Sequence, residues 1–274
     1  MPRLLIISFL FVLLFNGCSE EDASNPFVDE PAAPGSLVFS DEFNYSGLPD
    51  PDKWGYDEGG SGWGNDEEQY YTRERIENAK VENGILTITA IKEEYSGNQY
   101  TSARLVTAGK GDWLYGRIEV RAKIPRAVGT WPAIWMLPTD WVYGGWPSSG
   151  EIDIMEHVGW DPKVVHGSVH TALYNHKIGT QKSGQIVVDD PFDEFHVYRI
   201  DWFADRIEFY LDDNNYYTFY NENKTEGEWP FDQEFHLILN IAIGGAWGGI
   251  QGIQDESFPQ KMEIDYVRIY ASTE

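Results

Sequence analysis

Gly150-Glu151-Ile152-Asp153-Ile154-Met155-Glu156 places three carboxylates within six residues of an otherwise apolar run. On a strand, side chains alternate faces. Glu151 and Asp153 then share one face, and Ile152 and Ile154 share the other. Strict alternation puts Met155 beside the acids and turns Glu156 away. One extra residue, a β-bulge, returns Glu156 to the acidic face, and bulges often re-aim side chains beside active sites. Glu151 and Glu156 then lie about four strand rises apart, roughly 13 Å. Two glutamate arms leaning together would leave on the order of 5–6 Å, near the spacing of about 5–5.5 Å of a retaining glycosidase pair. Two other readings fit the stretch alone: a solvated acidic strand face, and a metal site built from the same three acids.

The rest of the chain weighs those readings. Its 274 residues suit one large β domain and can bury a substantial core without staples. Asp and Glu number 45 against 20 Lys and Arg, a formal net charge of −25. That balance disfavours nucleic acid, anionic membrane surfaces and strongly anionic polysaccharides. The single cysteine, Cys18, excludes an internal disulfide framework and a cysteine-rich metal site.

Residues 1–18 read as an export signal. Arg3 precedes the apolar run Leu4 to Phe15, which is short for a permanent membrane span. Phe15-Asn16-Gly17-Cys18 resembles a bacterial lipoprotein signal, with Phe15 where Leu is usual. Acylated Cys18 would be the chain's one link to a membrane. Ser19-Glu20-Glu21-Asp22 resembles the acidic export tag of Bacteroidetes-type surface lipoproteins, which implies an outer-membrane, cell-surface location. Residues 19–35 are rich in Pro, Ala, Ser and acids and read as a flexible tether.

From Leu37 onward, short alternating runs are punctuated by Gly, Pro, Asn and Asp, as in Gly84 to Ile91, Tyr115 to Ile124, Val197 to Trp202, Arg206 to Leu211 and Ile264 to Tyr270. No long stretch shows a 3.6-residue period. Asp212-Asp213-Asn214-Asn215 sits between two such runs and reads as a hairpin turn. Many strands without helices predict an all-β sandwich, one domain over residues 36–272. The chain carries 11 Trp, more than a sandwich core uses, and many lie in Gly-rich surroundings. Exposed flat rings suit the apolar faces of pyranose sugars in a concave site. Trp131, Ala133 and Trp135 share a strand face, so the two indoles are predicted to form a platform near the acids, with a core role for Trp135 as the alternative. His166, Ser168 and His170 share a face of the next strand, which antiparallel pairing would bring alongside the acids. A structural histidine is the alternative, above all for His166.

Together these residues resemble glycoside hydrolase family 16 in its bulged, laminarinase-type form. Glu151 to Glu156 resembles the family signature. Phe39 to Phe43, Trp63 to Tyr71, Gly129 to Pro138, Asn240 to Gly245 and Asp265 to Tyr270 resemble its further motifs, in order, over nearly all of the chain after the tether. The resemblance implies a β-jelly roll of two antiparallel sheets with a concave substrate cleft. It implies retaining endo-hydrolysis of β-1,3-glucosidic bonds in laminarin-type glucans and of mixed-linkage glucans. Other outcomes are a hydrolase of another polysaccharide, such as a galactan, and a non-catalytic glucan-binding jelly roll. Glu151 is similar to the nucleophile, Glu156 to the acid/base and Asp153 to the helper between them. Asn65, Glu68, Arg104, Trp131, Trp135 and His170 match sugar-lining positions. The chemistry implied needs no cofactor. A structural calcium is implied, held by Glu42, Gly84 and Asp265; Asp265 shares a strand face with Val267 and Ile269, so it is predicted to be a buried acid needing compensation. The expected partner is a β-glucan poly- or oligosaccharide, met by a monomer.

Overall fold

The computed structural model describes residues 35–273. The signal, Cys18 and nearly all of the tether lie outside the described residues. Among those described, the only helical segments are two short 3-10 turns, His176–Ile178 and Asp255–Ser257. No helix among the described residues is long and apolar enough to cross a membrane.

The strands form two sheets, a jelly-roll sandwich as expected. One sheet runs, edge to edge, through Asn214–Tyr220, Arg206–Leu211, His196–Trp202, Gly116–Lys123, Gln260–Tyr270, Ile85–Tyr95, Asn98–Ser102 and Gln69–Tyr71. The other runs through Lys182–Val187, Val164–His170, Glu151–Glu156, Thr130–Pro138, Phe235–Ile243, Arg104–Val106 and Gly55–Asp57. The described pairings are antiparallel save one: Gln69–Tyr71 lies parallel to Asn98–Ser102. The Asp212–Asp213 turn joins its two strands with Leu211 opposite Asn214, as the sequence predicts.

Period-two patterning builds the core. Ile118, Val120 and Ala122 of one sheet, and Ile134, Met136 and Ile152 of the other, point inward and are buried. Each such aliphatic chain withdrawn from water contributes about 1.5–3 kcal/mol before conformational entropy is counted. Phe235–Ile243 is buried at all nine positions, so it forms the spine of the second sheet, with apolar residues toward the core. The tryptophans divide as the composition suggests. Trp54, Trp202 and Trp229 are core, whereas Trp63, Trp131, Trp135, Trp141 and Trp146 line one cavity on the outer face of the second sheet.

A second bulge corrects one expectation. On Gln260–Tyr270 the register slips between Ile264 and Tyr266, leaving Asp265 as the extra residue. The slip lets Met262 and Ile264 point inward and, after it, Val267 and Ile269 as well. Asp265 is therefore turned outward rather than buried with Val267 and Ile269. It pairs there with Arg121.

Candidate active site

The acidic strand carries the bulge that its sequence calls for. Across the Thr130–Pro138 strand, Ala133 faces Glu156 and Ile134 faces Met155, but Trp135 faces Asp153, so Ile154 is the extra residue. The opposite neighbour agrees: Asp153 faces Ser168 and Glu156 faces His166, three steps against two. Ile152, Ile154 and Met155 are all fully buried in the core. The bulge thus absorbs two successive apolar residues on one side, and Glu151, Asp153 and Glu156 emerge together on the other. All three line the same cavity, about 380 Å³ in volume. Gly150 makes the entry to this strand possible. Its φ of +89° favours glycine, and a Cβ there would meet Phe231 and Pro230 at 2.9 Å.

Each acid has its own partners. Trp146 Nε1 donates to Glu151 Oε2 at 2.9 Å, and Trp131 Nε1 donates to Glu156 Oε1 at 3.0 Å. His170 Nε2 lies 3.2 Å from Asp153 and 3.6 Å from Glu151. Asp153 is 2 % exposed, which rules out a solvated acidic face. Burial pushes all three carboxyls up, to about 8, and the charge of Asp153 adds to the rise of both glutamates. His170 pulls Glu151 and Glu156 back, as do their indole donors, while a hydrogen bond with Glu151 pulls back Asp153. Three carboxyls so close titrate as one unit, in which ionising one acid holds the proton on its neighbours. Hydrogen-bond donors and shared protons are what acid–base chemistry needs. Glu151, Asp153 and His170 also have ligand atoms within 4.8 Å of one another. Trp146 already donates to Glu151, and His170 sits against both acids, which favours the acid–base reading over a metal site.

The sugar-lining expectations divide. Asn65, Arg104, Trp131 and Trp135 all line the cavity. Arg104 lies between the rings of Trp63 and Trp135, 4.8 and 4.7 Å from their centroids, and pairs with Asp57. Glu68 does not line it. The segment Glu67 to Tyr71 alternates, so Glu67, Gln69 and Tyr71 turn inward and Glu68 is exposed; Glu67 takes the place assigned to Glu68. His170 does not line it either. Facing Glu151 in the register, it packs buried against the acids and orients them rather than meeting solvent. His166 stacks edge-on to Trp247, itself against Trp131, as a structural histidine would.

Sequence reasoning missed Glu67, Tyr71 and Asn240 in the cavity wall, together with His176 and Lys177. Period-two reading of Glu67, Gln69 and Tyr71 held the signal for the first two. His176 and Lys177 come from a loop that folds back onto Trp146, with the His176 ring 5.1 Å from it and the Lys177 ammonium 4.6 Å. No local pattern encodes that return.

The residues expected to hold calcium gather elsewhere. Glu42, Gly84 and Asp265 line one shallow surface pocket with Arg121 and Arg268. Glu42 is held by Arg268 through two contacts of 2.8 Å, which keep its carboxyl below the usual range.

Comparison with known proteins agrees with this geometry. The chain is 60% identical over 241 residues to the beta-glucanase of Rhodothermus marinus, covering 85% of this chain and 84% of that one. Its structure matches the laminarinase from Rhodothermus marinus with a TM-score of 0.86 at 57% identity, over 87% of this chain and 98% of that one. It matches a variant of a non-specific endo-β-1,3(4)-glucanase, co-crystallized with 1,3-β-D-cellotriosyl-glucose, with a TM-score of 0.83 at 47% identity, over 88% and 98% of the two chains. Residues 66–268 match the family model described as glycosyl hydrolases family 16. With a bulged acidic strand under a wall of indoles, and relatives alike over most of their length, the chain belongs to glycosyl hydrolase family 16.

Proposed function

We propose that the protein is a retaining endo-hydrolase of β-1,3-glucosidic bonds in laminarin-type glucans, acting on mixed-linkage β-glucans as well. The observation that carries this is the bulge at Ile154, which gathers Glu151, Asp153 and Glu156 in one indole-lined cavity. The apolar ring faces of Trp131 and Trp135 suit glucose units, and Arg104, Asn65 and Asn240 offer hydrogen bonds to hydroxyls.

In the reaction, a Glu151 carboxylate oxygen attacks the anomeric carbon as the glycosidic C–O bond breaks. Glu156 gives its proton to the departing oxygen. The resulting glycosyl ester is then cleaved by water, whose proton returns to Glu156 while its hydroxyl joins the anomeric carbon. Two inversions leave the configuration retained. Asp153 holds its proton toward Glu151 before attack, which keeps the nucleophile ionised beside two other acids; its burial, the largest influence on that carboxyl, supports the assignment. Water and carboxyl groups supply all the chemistry, so no cofactor is required.

The test is product analysis on laminarin, lichenan, agarose and carrageenan side by side. Short oligosaccharides released early from laminarin, with slower release from lichenan, are expected. Release from agarose or carrageenan alone would instead favour a galactan hydrolase, and binding without cleavage would favour a glucan-binding protein.

For calcium, two carboxylates and a backbone carbonyl suit the ion in kind. Glu42 and Asp265 would hold it with the Gly84 carbonyl, and Arg268 and Arg121 compete for the same carboxylates. Calcium added to chelated protein is expected to raise Tm by several degrees, and Glu42→Ala to remove that rise; equal Tm values with and without calcium would rule the site out. Arg3, the apolar run Leu4 to Phe15, Cys18 and the acidic Ser19 to Asp22 support a chain tethered through acylated Cys18 at the outer membrane and cell surface, where we propose it meets glucan as a monomer. Cys18→Ala is expected to release it from the membrane fraction; retention there would refute the anchor.

A further inference from the structure

Behind the cavity wall, polar side chains form a line from Trp135 to Glu67. Trp135 Nε1 donates to Asn240 Oδ1 at 2.7 Å, and Asn240 Nδ2 donates to the Tyr71 hydroxyl at 2.9 Å. The Tyr71 hydroxyl donates to Glu67 Oε2 at 3.3 Å. Glu67 also accepts Gln69 Nε2 at 2.6 Å and Asn65 Nδ2 at 3.2 Å. Tyr71 and Gln69 are fully or almost fully buried, and Asn240 is buried.

The direction of this line is forced from its far end. An indole N–H only donates, so Asn240 must show Trp135 its oxygen and turn its amide nitrogen to Tyr71. The Tyr71 oxygen then accepts, and its own proton must go to Glu67. Gln69 is pinned separately: its Oε1 accepts the Ile243 N–H at 2.7 Å, so its amide nitrogen also faces Glu67. Three donors thus converge on one side chain, whose two oxygens accept them all. Burial raises this carboxyl on balance, and those bonds and the charge of Arg104 only reduce the rise. Arg104 covers one face of the Trp135 ring, so the ring has a single face left for a ligand, and its rotation matters.

We propose that Glu67 is a positioning residue for glucan recognition. As the terminal acceptor it orders Tyr71 and Asn240, and through them it fixes the Trp135 indole at the angle that meets the sugar. This rests on reading the cavity as the glucan cleft. Leucine at position 67 fills similar space but accepts no hydrogen bond, so the Tyr71 proton loses its acceptor and the line loses its terminus.

The experiment is steady-state kinetics on β-1,3-linked gluco-oligosaccharides in a two-by-two set. Glu67→Leu is expected to raise KM about ten-fold or more, the scale of a buried donor left without its acceptor, with kcat within a few-fold. In the Trp135→Phe background, where no indole N–H remains, Glu67→Leu is expected to leave KM unchanged. Tyr71→Phe cuts the line midway and carries the same pair of expectations, which covers a Glu67→Leu protein that fails to fold. Equal KM effects in both backgrounds would overturn the proposal, because Glu67 would then act on the sugar or the fold without Trp135. Turnover by the wild type with additive substitutions defeats this proposal alone. A wild type inert on these glucans defeats the functional reading and this proposal together.

Discussion

Glu151→Ala is expected to lower kcat by about 10⁴-fold or more, the scale on which removing a nucleophile acts, while oligosaccharide binding persists. The two effects separate because the indole platform and Arg104 remain. Glu151 sits at the start of the bulged strand, with one carboxylate oxygen held by Trp146 and the other 3.6 Å from His170. Truncation leaves space where the carboxylate stood. Azide added to Glu151→Ala with an activated β-glucoside substrate is expected to fill that space, attack the anomeric carbon once and give an α-glycosyl azide. One inversion instead of two is the chemical mark of a missing nucleophile. Hydrolysis near the wild-type rate, or a β-azide product, would remove Glu151 from that role. Glu151→Gln tests the same assignment without the cavity. Its amide oxygen can still accept the Trp146 N–H, so loss of turnover with unchanged binding and Tm is expected.

Most of the fold and the centre of the site were legible because both follow from period-two patterning and one break in it. Ile154 and Met155 cannot both face the core on a regular strand, and both are too apolar to leave it, so a bulge resolves the conflict. The strands Arg206–Leu211 and Gln260–Tyr270 follow the same logic from their alternation. The failures come where phase depends on partners far along the chain. Glu67 and Glu68 are chemically the same; the phase is fixed by Gln69 meeting Ile243, a contact between residues 174 apart. Asp265 looked buried because its strand was read without a bulge, and the slip that turns it outward is set by pairing with Gly116–Lys123. The polar stretch Lys182–Val187 is the edge strand beside Val164–His170, and its composition does not announce it. The family resemblance implies a sugar-lining His170; its register opposite Glu151 packs it, buried, against the acids.

Glu156→Ala should behave differently from its neighbour on the strand. Glu156 starts protonated, and the proton is needed by a poor leaving group but hardly by a good one. Hydrolysis of laminarin is therefore expected to fall by about 10²–10⁴-fold, the usual worth of general acid–base help, whereas aryl glucosides with acidic leaving groups lose far less in glycosylation. Azide added to Glu156→Ala attacks the glycosyl ester on Glu151, so the product is a β-glycosyl azide, opposite to that of Glu151→Ala. The pH profile follows from the same proton. Burial first, then the charge of Asp153, raises the Glu156 carboxyl to about 8, so wild-type kcat/KM should fall on the alkaline side as that proton leaves. Glu156→Ala should flatten that limb for activated substrates. Stability moves with it, and the sign is fixed by linkage. Below the ordinary carboxyl pKa of about 4.3 both folded and unfolded chains hold the proton, and there is no effect. Between there and about 8 the folded chain keeps a proton that the unfolded chain releases, so stability declines as pH rises. Thermal unfolding of Glu156→Gln across this window should show a shallower decline and a higher Tm than wild type at pH 8. A steeper decline, or an alkaline limb unchanged in Glu156→Ala, would mean that another group holds the catalytic proton.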